Sequence, residues 1–257
     1  MRRYTLEGAR LIYWGIGTHV GQAVSQNGDG DLIGDIKVVE AVLGDPHKRG
    51  YTKPGRASFH TDTCDTVGLM CWRKAKRGGE IFVASAMTAH NLMLEERPDL
   101  LAELYEPYCH DIKNEEQPGR LPYYTLPVFS WMDGLVSTRY SRSRIMSGQR
   151  FEDVPRITER QAEAFDFLDS VMAREGVALA MDFQVGDIQL VNNYVCFHSR
   201  NAYERTTSSN PNAATCSACG SPNTAAASFL TRSSTFFMAT SSPTPPAAES
   251  LRFPDDW

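Results

Sequence analysis

Residues 186–198, Gly186-Asp-Ile-Gln-Leu-Val-Asn-Asn-Tyr-Val-Cys-Phe-His198, read as a turn, an apolar strand, an Asn-Asn turn and a second strand that delivers an imidazole. Strands are predicted here over 178–184, 187–191 and 194–198, and upstream over 33–39, 57–63, 66–72 and 80–85. Residues 123–132 and 135–141 are expected to pair as a hairpin, because Asp133-Gly134 favours the positive φ angles of a tight primed turn. Helices are fewer. One is predicted over 3–14, ended at Gly15-Ile-Gly17, one over 86–96, and one over 98–106 with Pro98 at its first position. Thr158-Glu-Arg-Gln161 is a capping box. It opens a helix with Phe165, Leu168 and Met172 on one face, closed at Gly176. Many short strands with a few helices predict a mostly β sandwich or barrel carrying helical insertions.

Composition narrows the class. The chain has 257 residues, 26 Lys and Arg against 31 Asp and Glu, and a net charge of −5. The mild acidity, with no Lys/Arg block to bind phosphates, argues against a nucleic-acid partner. No stretch approaches the 18 apolar residues of a membrane span. Glu7 and Arg10 interrupt any apolar signal segment after Met1-Arg2-Arg3. Six Cys at irregular spacings, in a chain too large to need staples, read as reduced thiols in a cytoplasmic protein. Oligomeric state is not legible.

The chain divides in two: residues 1–204 have the texture of a folded domain, and 205–257 that of a low-complexity, disordered tail. Between 205 and 250, 32 of 46 residues are Ala, Ser, Thr or Pro, and only Arg205, Arg232 and Glu249 are charged. Such a composition buries little surface. Cys216-Ser-Ala-Cys219 has the spacing of half a zinc site or a redox pair, but no second pair follows it.

The sharpest chemical signal is His60-Thr61-Asp62. In a strand, residues i and i+2 face one side, so this imidazole and carboxylate converge. They make two-thirds of a 2-His-1-carboxylate triad, which holds iron(II) on one face and leaves the opposite positions open. A surface His paired with Asp is the structural alternative. A third ligand has to come from a distant strand, and His19, His47, His90, His110 and His198 are the candidates. His90 reads as a cap or surface residue of a helix, His47 and His110 sit in polar, loop-like stretches, His19 lies in a turn, and His198 ends an apolar strand, where a core role is also open.

Taken together, several segments resemble one family. These are Gly50-Tyr51, Phe59-His-Thr-Asp62, Asp65, Val67-Gly-Leu-Met-Cys-Trp72, Lys74-Ala-Lys76, Gly78-Gly-Glu80, Arg97-Pro-Asp-Leu-Leu101, Tyr105-Glu-Pro107, Pro122-Tyr-Tyr124, Pro127-Val-Phe129, Arg139-Tyr140, and Gly186-Asp187 with Asn192-Asn193 and His198-Ser-Arg200. Over residues 8–204 the chain resembles the taurine dioxygenase (TauD/TfdA-like) family of iron(II)- and 2-oxoglutarate-dependent oxygenases, and within it fungal and bacterial members of unassigned substrate. The resemblance implies a double-stranded β-helix, or jelly roll, with iron held by His60, Asp62 and His198. It implies oxidation of a small organic substrate by O2, usually hydroxylation, coupled to conversion of 2-oxoglutarate into succinate and CO2.

The chain departs from that family in three ways. It starts late against the family's pattern. Ile81 stands where the family often has Thr or Ser after Gly-Gly-acidic. The family's arginine for the distal carboxylate of 2-oxoglutarate, in a closing strand beyond the distal histidine, has no counterpart before the resemblance stops near Glu204. Codons permitted for Ala214 to Ser221, read two bases later, can spell His-Leu-Leu-Arg-Leu-Trp-Leu, which resembles that strand. The expectation is therefore an incomplete jelly roll, out of frame after about residue 204. Arg142 and Arg200 are the weak candidates for holding 2-oxoglutarate or substrate, and the basic run Arg139, Arg142, Arg144 reads otherwise as a solvated strand edge. A metal-binding remnant without turnover, and a jelly-roll metalloenzyme that does not use 2-oxoglutarate, are the alternatives.

Overall fold

The computed structural model describes residues 4–26, 30–36, 55–75, 77–116, 119–132, 134–204 and, as backbone, 224–230. Two antiparallel sheets face each other. The first contains β1 (Gln22–Val24), β2 (Gly34–Ile36), β4 (Thr66–Cys71), β12 (Ile188–Asn192) and β15 (Thr224–Leu230), in the order β1-β15-β4-β12, with β2 also paired to β15. The second runs β11-β6-β13-β3, from β11 (Ala178–Met181), β6 (Ile81–Ser85), β13 (Cys196–Arg200) and β3 (Ala57–His60). This is a double-stranded β-helix. The position expected to lack its closing strand is taken by β15, drawn from the Ala/Ser/Thr/Pro-rich tail. Its sequence, Thr-Ala-Ala-Ala-Ser-Phe-Leu, carries no arginine. Residues 205–223 and 231–257, with Cys216 and Cys219, lie outside the described residues, as does His47.

Helices cover the outer faces. α1 (Leu6–Thr18) lies on the first sheet, where Ala9 and Tyr13 pack on Met70 and Trp72. It runs through Gly15 and Gly17 rather than ending there. A helical glycine costs about 1 kcal/mol, and burial of one face of α1 on the sheet offsets it. The second sheet carries α2 (Ala86–Glu96), α3 (Pro98–Glu103) and α5 (Glu159–Met172). Both arms of the α5 capping box form: Gln161 N–H donates to Thr158 Oγ1 at 3.2 Å and Thr158 N–H to Gln161 Oε1 at 3.1 Å. Phe165, Leu168, Val171 and Met172 then join Phe59, Ala84 and Phe197 in the main core. That core fixes the outward face of β13 and turns the alternate residues, Cys196, His198 and Arg200, to the space between the sheets.

An insertion between the core strands differs from the sequence reading. Residues 123–132 are not one strand. β8 (Tyr123–Pro127) pairs with β7 (Pro107–Asp111), and β9 (Phe129–Met132) forms the hairpin with β10 (Leu135–Thr138). The Asp133-Gly134 turn stands as expected, with Gly134 at φ +79°. The β7 segment looked polar because His110 and Asp111 are buried in it. The basic run is not a strand edge either: Arg142 opens a short helix, α4 (Arg142–Gly148).

Gly68 on β4 exists because Tyr13 crosses it; a methyl there would overlap the Tyr13 hydroxyl. Gly68→Ala is therefore expected to cost about 1–3 kcal/mol in a denaturant melt, the penalty of overpacking. Adding Tyr13→Phe, which removes the overlapping oxygen, should recover part of that loss. An equal loss in the double variant would place the strain elsewhere.

Candidate metal centre

β13 pairs with β3 so that His198 stands directly opposite His60. Their ring centroids lie 4.3 Å apart. Strand β3 stops at His60, so Asp62 does not extend the strand as the i, i+2 rule supposed; it reaches the cluster from the loop that follows. Two hydrogen bonds hold that loop. Thr61 N–H donates to the Tyr140 carbonyl at 2.7 Å and Tyr140 N–H returns to Thr61 Oγ1 at 3.0 Å. Asp62 N–H donates to Asn193 Oδ1 at 3.0 Å.

The result is a cluster. Asp62 Oδ1 lies 3.9 Å from His60 Nε2 and Oδ2 lies 3.5 Å from His198 Nε2. One ligand atom from each of the three falls within 4.8 Å of the others. His60 Nδ1 donates to the Ser58 carbonyl at 2.7 Å, which leaves Nε2 as the lone-pair atom. Loss of water around the ring, and next the neighbouring His198, push the His60 pKa down to about 4, against the pull of Asp62. The ring is therefore neutral near pH 7, the form that binds a metal. His198 is buried, while His60 and Asp62 remain about a third exposed, so the cluster opens on one side. Two neutral imidazoles and one carboxylate with an open side are a donor set that suits a divalent transition metal such as iron(II).

The Asn-Asn pair reaches further than a turn. Asn192 Oδ1 accepts from Tyr194 N–H, closing the turn. Asn193 is fully buried and spans to the far loop, giving its amide N–H to the Cys64 carbonyl at 3.0 Å and accepting from Asp62. Tyr194 Oη donates to Asp65 Oδ1 at 2.5 Å. Composition hinted at a turn, and nothing local in the sequence marked the second Asn as a strut.

The other candidates separate. Arg200 lies on the same side of β13 as His198; its guanidinium sits 4.7 Å over the Tyr203 ring and Nη2 donates to the Gly55 carbonyl at 3.4 Å. Burial lowers its pKa. Arg142 is not brought to the cluster; it binds Asp169 at 2.8 Å and Asp166 at 2.7 Å on α5. His90 is buried rather than a surface cap, in a hydrogen bond with Tyr105 Oη at 2.8 Å. His19 caps the end of α1. Ile81 packs against Leu69 between the sheets, an apolar contact where the family's hydroxyl would be. Beside the cluster, a cleft of about 650 Å³ is lined by Val83, Leu179, Met181, Phe183, Val191 and Cys196.

A family model described as taurine catabolism dioxygenase TauD, TfdA family, matches residues 5–211. The chain belongs to the TauD/TfdA family. FR-33289 synthase of Streptomyces rubellomurinus is 34% identical over 204 residues, covering 77% of this chain and 59% of that protein. The taurine hydroxylase-like protein SAT17 of Stachybotrys chartarum is 26% identical over 209 residues, covering 75% and 51%. The chain thus spans a little over half the length of these curated relatives. Among solved structures, asparagine oxygenase (AsnO) matches with a TM-score of 0.60 at 17% identity, over 86% of this chain and 62% of that one. Non-heme iron oxygenase OrfP with Fe and alpha-ketoglutaric acid matches at 0.57 and 14%, over 87% and 64%. At such identities these two speak for the fold. Among the described residues, no helix is long and apolar enough to cross a membrane.

Asp62→Ala is expected to abolish binding of manganese(II), a redox-silent stand-in for iron(II), in equilibrium dialysis, because it removes the cluster's one negative charge. Asn193→Ala should keep all three donors yet weaken the metal about 10- to 100-fold, the usual effect of losing a group that orients a ligand. Cys216→Ala with Cys219→Ala should leave metal affinity unchanged; a loss there would assign the metal to the tail.

Proposed function

We propose that the chain is an iron(II)- and 2-oxoglutarate-dependent dioxygenase that oxidises a small organic substrate. The convergence of His60, Asp62 and His198 at the open inner edge of a jelly roll carries the reading, and family membership supports it. The curated and structural relatives named above support iron and 2-oxoglutarate as the groups used. When bound, iron(II) with 2-oxoglutarate supplies the activation of O2 for oxidation of a C–H bond, with succinate and CO2 as by-products.

The chain's own residues have four tasks. His60 and His198 present neutral nitrogen donors, and Asp62 supplies the balancing charge. Asn193 and Tyr140 hold the Asp62 loop against the strand pair, so the three donors keep one spacing. The apolar cleft excludes bulk water from the reacting centre, and its volume lies in the range of small-molecule sites. Arg200, buried and on the inner face beside His198, is our candidate partner for a carboxylate of 2-oxoglutarate, because a guanidinium matches a carboxylate in two parallel hydrogen bonds.

A second reading is favoured by one observation. β15, in the closing position, brings no arginine to the sheets. On that reading the chain binds metal but holds 2-oxoglutarate too weakly to turn over. The two part on calorimetry of 2-oxoglutarate with the manganese-loaded chain, followed by succinate release with iron(II) and O2. The dioxygenase reading expects saturable binding that Arg200→Met weakens roughly 10- to 100-fold, the worth of a charged hydrogen bond, with metal affinity intact. Metal binding without any 2-oxoglutarate binding would leave the second reading.

A further inference from the structure

The basic run Arg139, Arg142, Arg144 divides in the structure. Arg142 is spent on α5. Arg144 reaches back to β7, where its Nη1 donates to the Asp111 carbonyl at 2.7 Å. Arg139 follows β10, next to Tyr140, whose backbone is bonded to Thr61 between His60 and Asp62. Its Nη1 is buried with no hydrogen-bond partner.

A second polar group there is in the same condition. Tyr124 on β8 stands opposite His110 on β7, and the two rings stack with centroids 4.9 Å apart and planes 3° from parallel. The Tyr124 hydroxyl is buried without a hydrogen-bond partner. His110, completely buried, makes no hydrogen bond through either ring nitrogen, although the Leu126 carbonyl acts on the ring.

These groups share one space beside the metal cluster. Arg139 and Arg144 both act electrostatically on His110 and on Tyr124. Asp62 acts on Tyr124, and Arg144 acts on His60. The nearby carboxylate of Asp111 is already held by Arg150 at 3.0 Å, by Ser147 and by the Lys113 N–H at 2.7 Å. His110 stays neutral, its pKa pushed to about 3 by burial, so it adds no charge. Native proteins seldom leave buried donors unpaired, and donors gathered beside a reaction centre point to an acceptor that arrives from outside. Positive charge, a free guanidinium N–H and a phenol O–H define that acceptor as an anion with several oxygens.

We propose that Arg139, Tyr124 and Arg144 form a pocket for the oxyanion of a small acidic substrate, a carboxylate, phosphonate or sulfonate, held beside His60, Asp62 and His198. Calling the ligand a substrate rests on the oxygenase reading above; the anion site itself does not. The pocket is built from β8, β10 and α4, outside the two sheets, whereas Arg200 and the apolar cleft lie between them. That separation assigns the oxyanion to the substrate and leaves the inner face to 2-oxoglutarate.

The test uses the full manganese-loaded chain, with methylphosphonate and propionate as probes followed by calorimetry. Saturable millimolar binding is expected. Arg139→Gln should weaken it roughly 10- to 100-fold and Tyr124→Phe several-fold, the worth of charged and neutral hydrogen bonds respectively. Arg142→Gln should change nothing. Manganese(II) and 2-oxoglutarate affinities should match the wild type in all three variants. Tyr124→Phe removes a single oxygen and carries the test if Arg139→Gln does not fold. Absence of saturable anion binding by the wild type, or equal binding across the variants, overturns the pocket. Loss of 2-oxoglutarate affinity in step with the anions overturns the substrate assignment. Anion binding that persists in a chain unable to bind manganese(II) upholds the pocket and sinks the oxygenase reading instead.

Discussion

The register that puts His198 opposite His60 is the constraint on which the site depends. A slip of one residue in the β13–β3 ladder would send His198 into the helical core and bring Phe197 or Ser199 to the inner face. The register is held from the outer side. Phe197 and Phe59 are anchored among α2, α3 and α5, and β6 flanks β13 with Val83 opposite His198. Apolar packing on one face of the sheet therefore fixes the placement of polar ligands on the other. The third donor needs a different device. Asp62 stands beyond the end of β3, and buried hydrogen bonds from Asn193 and Tyr140 do for the loop what the ladder does for the strands.

Much of this was legible in the sequence because local chemistry and global fold agree. The capping box at Thr158, the Asp-Gly turn at 133–134 and the alternating strands around His60 and His198 behave as their composition predicts. The misreadings share one cause: burial supplied by residues far away. Gly15 and Gly17 read as a helix stop, but the first sheet holds α1 straight through them. His110 and Asp111 read as loop because they are polar, yet β8 and α4 enclose them. Asn193 read as turn chemistry, and its partners are 129 to 131 positions away, beyond any local pattern.

The same distinction sorts the arginines. Spaced two apart, Arg139, Arg142 and Arg144 look equivalent in sequence, yet each has a different fate. The end of β10 and the first turn of α4 bend the chain between them, so one is captured by carboxylates on α5 and the others turn toward buried aromatic and carbonyl groups. Net charge along the chain says nothing of this; the direction of the backbone does.

The long reach of these pairings has a consequence for how the protein comes into being. His60 and Asp62 leave the ribosome well before the strand that carries His198, and β15 pairs with β1 across nearly the whole described chain. Contacts of such separation incur a large loop-closure entropy before they stabilise anything, so folding is expected to be slow and its last steps to be sheet closure. The helical layer, built from contacts closer in sequence, can form first. Until β13 docks, no donor set exists for a metal to find, and β3 waits as an unpaired edge. Synthesis order thus makes the iron-binding face the latest part of the molecule to mature.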